Sequence, residues 1–74
     1  MPEFEALARN LKAKRREMHE TQFVFASNCG ISEEELSLLE RQKTDPKLST
    51  LQNIAAYANI TVSKLLEVEH DKQQ

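Results

Sequence analysis

Seventy-four residues make one domain, residues 1–74, and exclude a second. Charged residues at 30%, one glycine and two prolines describe a compact helical chain and exclude a low-complexity or disordered one. The formal net charge of −2 excludes a uniformly basic surface, so any attraction for a polyanion has to come from how the charges are distributed.

From Glu3 to Met18, Phe4, Leu7, Ala8, Leu11 and Met18 recur at three-and-four spacing, which predicts one face of a first helix. Arg15 falls on that same stripe, so it has to snorkel outward or meet a buried anion. His19-Glu20 ends the helix. Thr21 is a good N-cap for a second helix, Gln22 to Cys29. Phe23, Val24 and Phe25 are all apolar; two of the three are expected in the core and one at the surface. Gly30 follows, and glycine tolerates the left-handed backbone of a sharp corner between helices.

Ser32 and Glu35 have capping-box spacing, which opens a third helix from Glu33 to about Arg41. Leu36, Leu39 and Glu40 share its inner stripe. Arg15 and Glu40, opposite charges on inward faces, are expected to pair. Gln42 to Lys47 is a loop stopped by Pro46. Ser49 and Gln52 suggest a second capping box before the stripe Leu51, Ile54, Ala55 and Ala58, with Asn59 as a left-handed terminator. Thr61 can cap a last helix with Val62, Leu65 and Leu66 inward. Residues 69–74 carry no pattern and are expected to fray.

Charge is unevenly shared. Residues 1–20 hold five basic and four acidic side chains, residues 21–42 hold Arg41 against four glutamates, and residues 43–74 balance. The three glutamates 33–35 suit the positive end of a helix dipole. The basic run Lys12 to Arg16 reads as a solvated helix face or, more sharply, as a phosphate-facing edge. No apolar run approaches the about 20 residues that span a bilayer, and the N-terminus lacks a signal peptide's apolar core, so no membrane contact and a cytoplasmic location are expected. One cysteine, Cys29, fits a small buried residue at the corner and a reducing compartment. His19 and His70 lie far from it in sequence, no glycine-rich phosphate loop exists, and consecutive helical glutamates do not converge on a metal. The expectation is a chain without catalytic residues, cofactor or metal site.

Taken in order, Leu11-x-x-x-Arg15, Gln22-x-x-Phe25-Ala26, Gly30-Ile31-Ser32, Leu36-Ser37-x-Leu39-Glu40, Pro46 and Leu51-x-x-Ile54-Ala55 resemble the Cro/repressor-type helix-turn-helix family of bacteria and phages. This family is also called the xenobiotic-response-element (XRE) family. The resemblance spans roughly residues 6 to 67, with the helix-turn-helix unit at 22–41. It implies an all-α, compact five-helix bundle of the lambda-repressor-like type that regulates transcription by binding double-stranded operator DNA, usually as a homodimer. By that resemblance Gln22 touches phosphate and braces the recognition helix. Glu33, Glu34, Ser37 and Leu38 lie where the family reads bases, and Lys43 and Thr44 fall where it contacts the backbone; Ser32 and Arg41 complete the candidate DNA-binding set. Arg15 and Glu40 match the family's buried ion pair. The sequence departs from the pattern in its glutamates at reading positions, in Gln42 where a glycine is usual, and in apolar Phe23 and Val24. The glutamates and those last two suggest an alternative, a protein-interaction module that keeps the helix-turn-helix fold, has an acidic, DNA-incompetent recognition helix, and docks a protein partner through Phe23 and Val24.

Overall fold

The apolar stripes become five helices in the computed structural model, which describes residues 2–68; the tail expected at 69–74 lies outside the described residues. They are α1 (Pro2–Glu17), α2 (Gln22–Cys29), α3 (Glu33–Glu40), α4 (Leu48–Ala58) and α5 (Val62–Leu65), with no strand among the described residues. The architecture is the all-α five-helix bundle that the periodicity predicts. One core gathers Leu7 and Leu11 from α1, Phe25, Ala26 and Cys29 from α2, Leu36 and Leu39 from α3, Leu51 and Ile54 from α4, and Leu65 from α5. α1 packs on α3 and α5, α2 packs on α3 and α4, and α4 packs on α5. Phe25 and Tyr57 meet edge to face at 5.5 Å between centroids, the arrangement that aromatic quadrupoles favour.

The four longer helices stop in the same way. At each end a residue with positive φ lets two N–H groups turn back onto otherwise orphaned carbonyls, the Schellman arrangement. Gly30 (φ 80) closes α2, with Ile31 N–H donating to Ala26 O and Gly30 N–H to Ser27 O. His19, Gln42 and Asn59, at φ 58, 60 and 60, do the same for α1, α3 and α4. Asn59 was expected there, and so was Gly30. His19 and Gln42 hold the conformation without glycine's freedom.

Thr21, Ser32 and Thr61 cap α2, α3 and α5 by accepting from Val24, Glu35 and Lys64 N–H. Two capping expectations need correction. The Ser49–Gln52 box does not form: α4 starts two residues earlier, at Leu48, with Lys47 at the cap and no side-chain cap bond. The register of α4 is set by its buried face and by Thr50, which donates to Glu35 Oε2 at 2.8 Å. That same bond leaves the Ser32 box half-made, since the Glu35 carboxylate turns to α4 instead of back to the cap.

Two burial expectations also fail. Only Phe25 of the apolar trio is in the core; Phe23 and Val24 stand 64% and 42% exposed, because a two-turn helix packed on α3 and α4 offers one inward row there. Leu66 is 40% exposed instead of inward, since α5 ends at Leu65 after a single turn. A helix that short does not persist alone. Asn10 of α1 holds it by donating from Nδ2 to Leu65 O and Glu67 O, both at 2.8 Å.

Candidate functional site

Arg15 enters the site from the inner stripe of α1, where its neighbours Leu7 and Leu11 are buried and its aliphatic stem packs. Its guanidinium meets Glu40 side-on: Nε donates to Oε2 at 2.8 Å and Nη2 to Oε1 at 2.9 Å. The Arg15 side chain is 14% exposed and that of Glu40 is 3% exposed. Arg15 Nη1 also donates to Glu20 O at 3.0 Å, which fixes the turn between α1 and α2. Gln22 Nε2 donates to Glu40 Oε1 at 3.0 Å. One carboxylate therefore joins the stripe of α1, the first residue of α2 and the last residue of α3. The Arg15 pKa is raised, first by the hydrogen bond to Glu40 and then by its charge, against the opposing effect of burial.

The outer side of α3 carries the positions expected to read bases. Glu33, Ser37 and Arg41 follow one another at four-residue spacing, with Glu34 and Leu38 on the adjoining row. Ser32, Glu33, Glu34 and Arg41 are exposed, and Ser37 and Leu38 are half-buried. Arg41 Nε donates to Ser37 O and Ser37 Oγ, each at 3.3 Å, so its stem lies back along the helix. Lys43 is exposed and Thr44 half-buried in the loop that follows. The row thus runs from carboxylates at the N-terminal end of α3 to guanidinium and ammonium at the C-terminal end. Each sign complements the helix dipole at its own end. Arg15, Gln22 and Glu40 form one bonded cluster and Ser37 and Arg41 form another, and the side chains of Glu33, Glu34, Leu38, Lys43 and Thr44 share no hydrogen bond with either.

A second polar network went unforeseen. The Tyr57 hydroxyl donates to Glu20 Oε2 and accepts from Asn28 Nδ2 at 2.9 Å, which links the α1–α2 turn, α2 and α4. The bond to Glu20 raises the Tyr57 pKa ahead of burial. Cys29 is buried nearby, and burial with the Glu20 charge pushes its thiol up to about 11. At neutral pH it is a protonated apolar filler, the role expected of it. The one signal in the sequence was Tyr57 itself, an amphipathic aromatic beside the core stripe of α4. Its partners lie 37 and 29 residues away.

Among the described residues, no group of three or more His, Cys, Asp or Glu side chains is arranged to hold a metal ion. No helix among them is long and apolar enough to cross a membrane. No protein-family model matches the chain, and no curated protein matches it by sequence. Among solved structures it is similar to a crystal structure of a hypothetical transcription factor, NHTF, from Neisseria. The TM-score is 0.83 at 26% identity, over 88% of this chain and 75% of the other. The five-helix frame described above is thus shared with that hypothetical transcription factor.

Proposed function

We propose that this chain is a DNA-binding transcriptional regulator of the Cro/repressor type, working in the cytoplasm with α2 and α3 as its helix-turn-helix. The observation that carries the reading is the braced α2–α3 pair. Gly30 turns the corner, Gln22 and Arg15 lock Glu40 at the far end, and the outer row of α3 stays open, all on a frame shared with a transcription factor. In this reading α3 lies in the major groove with Ser32, Glu33, Glu34, Ser37 and Leu38 toward the bases. Glutamate accepts from the cytosine N4 amino group, so Glu33 and Glu34 favour cytosine-bearing positions and reject others through unpaired carboxylates. Arg41, Lys43 and Thr44 meet the backbone and set register; Gln22 braces α3 and contributes there too. Two copies on a two-fold axis read half-sites about 34 Å apart, with Ile60, Leu66 and Val68 as the apolar contacts between them. Fluorescence-anisotropy titration against mixed genomic duplex at low salt tests the proposal. Binding that weakens steeply as salt rises is the expected result, and absence of any salt-dependent binding overturns it.

One observation favours a second reading. Phe23 and Val24 are exposed side by side at the start of α2, where a groove-facing element gains nothing from apolar bulk. A protein-interaction module would use them, together with the acidic residues of α3. Phe23→Ser would then weaken capture of a partner while DNA affinity stayed at the unmodified level.

A further inference from the structure

The run Lys12 to Arg16 is divided by the fold among three environments. Lys14 turns to Glu17 at 3.5 Å, and Arg15 goes inside to Glu40. Lys12 and Arg16, joined by Arg9 from two turns earlier, line an open groove of about 380 Å³ whose far wall carries Gln42. Glu5 is the groove's one carboxylate. None of Arg9, Lys12 and Arg16 has an ion-pair partner among the described residues. Arg15 bonds Glu40 two residues before Gln42, which ties the Arg16 end of the strip to the C-terminal end of α3. Arg41 and Lys43 flank Gln42 in the chain, so the cationic end of the reading helix continues onto α1.

The geometry points to this strip of α1 as a second contact with the DNA backbone, in which Arg9, Lys12 and Arg16 follow the phosphates flanking the half-site. This inference rests on the DNA-binding reading and extends its footprint beyond the α2–α3 unit. The cations are strung along the helix instead of converging on one point. At a rise of about 1.5 Å per residue they cover about 10 Å, the axial length of about three phosphates on one strand. A small anion would engage one of them; a strand engages all three. The strip also accounts for how a chain of net charge −2 with carboxylates on its reading helix attracts a polyanion. The attraction comes from α1 and the α3–α4 loop, and the glutamates of α3 select among sequences.

The test compares three proteins on one mixed-sequence duplex: the parent, the triple variant Arg9→Gln/Lys12→Gln/Arg16→Gln, and Lys64→Gln on α5 as a charge control. All three positions are at or near the surface, and far-UV circular dichroism checks that the variants keep their helix content. Each lost phosphate contact lowers the slope of log affinity against log salt by about 0.9, so the triple variant is expected to lose about 2–3 from the parent slope. Lys64→Gln is expected to leave it unchanged. An unchanged slope in the triple variant overturns the inference while leaving DNA binding intact. A slope change in Lys64→Gln equal to the per-residue change in the triple variant also overturns it, because net charge alone would then explain the effect. A parent that shows no salt-dependent binding removes the DNA-binding reading itself, and this inference with it.

Discussion

Glu40 accepts three hydrogen bonds while almost fully buried, from Arg15 Nε and Nη2 and from Gln22 Nε2. Truncating it leaves a guanidinium desolvated and without its anion. Glu40→Ala is therefore expected to cost about 3–5 kcal/mol, read as a drop in the urea midpoint. The double change Arg15→Met/Glu40→Leu, which removes both charges, is expected to recover most of that loss. Cys29 and Tyr57 make a second prediction. Both have folded pKa values above their ordinary ones, so the folded state holds these protons more tightly than the unfolded chain. The contribution of Cys29 to stability is complete below pH 9.0 and is lost as pH rises toward about 11; that of Tyr57 is likewise lost as the phenol ionises. Unfolding midpoints should fall across that window, and Cys29→Ala should remove its own share of the fall. Both halves of the Arg15–Glu40 pair were legible in the sequence because each is a charge on an apolar stripe. The Glu20–Tyr57–Asn28 network was not, because each member sits among polar neighbours and nothing in local spacing points across 30 residues.

Helix ends carry the next level of specification. Gly30 has φ 80 and open space where a Cβ would project, so any cost of Gly30→Ala comes from backbone strain alone. That cost is expected to be about 1–2 kcal/mol. Gln42 presents the mirror case. It is exposed, its side chain makes no hydrogen bond among the described residues, and it holds φ 60. Gln42→Gly is expected to stabilise the fold by about 0.5–1 kcal/mol, visible as a rise in Tm, with relieved strain offset in part by a freer unfolded chain. Caps with a side-chain hydroxyl directly before an apolar-periodic run were readable at Thr21, Ser32 and Thr61. At α4 the same rule picked Ser49, two residues past the actual cap at Lys47. Thr50 had a partner on α3, and burial of Leu51 and Ile54 decided the register. The apolar trio misled for a related reason: three consecutive apolar residues cannot reveal which one faces inward until the packing partners are known.

At the scale of the molecule, a 74-residue domain with one small core has little stability in reserve. Association is the available supplement, and Leu66 and Val68 leave apolar surface next to half-buried Ile60. If this face joins two copies, Tm should climb with protein concentration, and Leu66→Ser should flatten that dependence while changing the unfolding free energy at low concentration by no more than about 0.5 kcal/mol. Sedimentation equilibrium on the same samples checks the mass directly. The five-helix frame was legible because its stripes, corner and caps agree with one another. The outward surface was less so. Sequence supplies how many charges there are, but only the fold sends Lys14, Arg15 and Arg16 in three different directions.

The bond from Gln22 to Glu40 has a kinetic and thermal consequence for whatever α3 recognises. It joins the first residue of α2 to the last residue of α3, while Gly30 joins their other ends, so the two helices form a closed frame of restraints. The intrahelically bonded amides of α2 and α3 should then exchange with solvent close to the rate of global unfolding. Docking would proceed on a surface already in its final shape. A recognition event of that kind shows a heat-capacity change no larger than the buried contact area accounts for, since no segment folds as it binds.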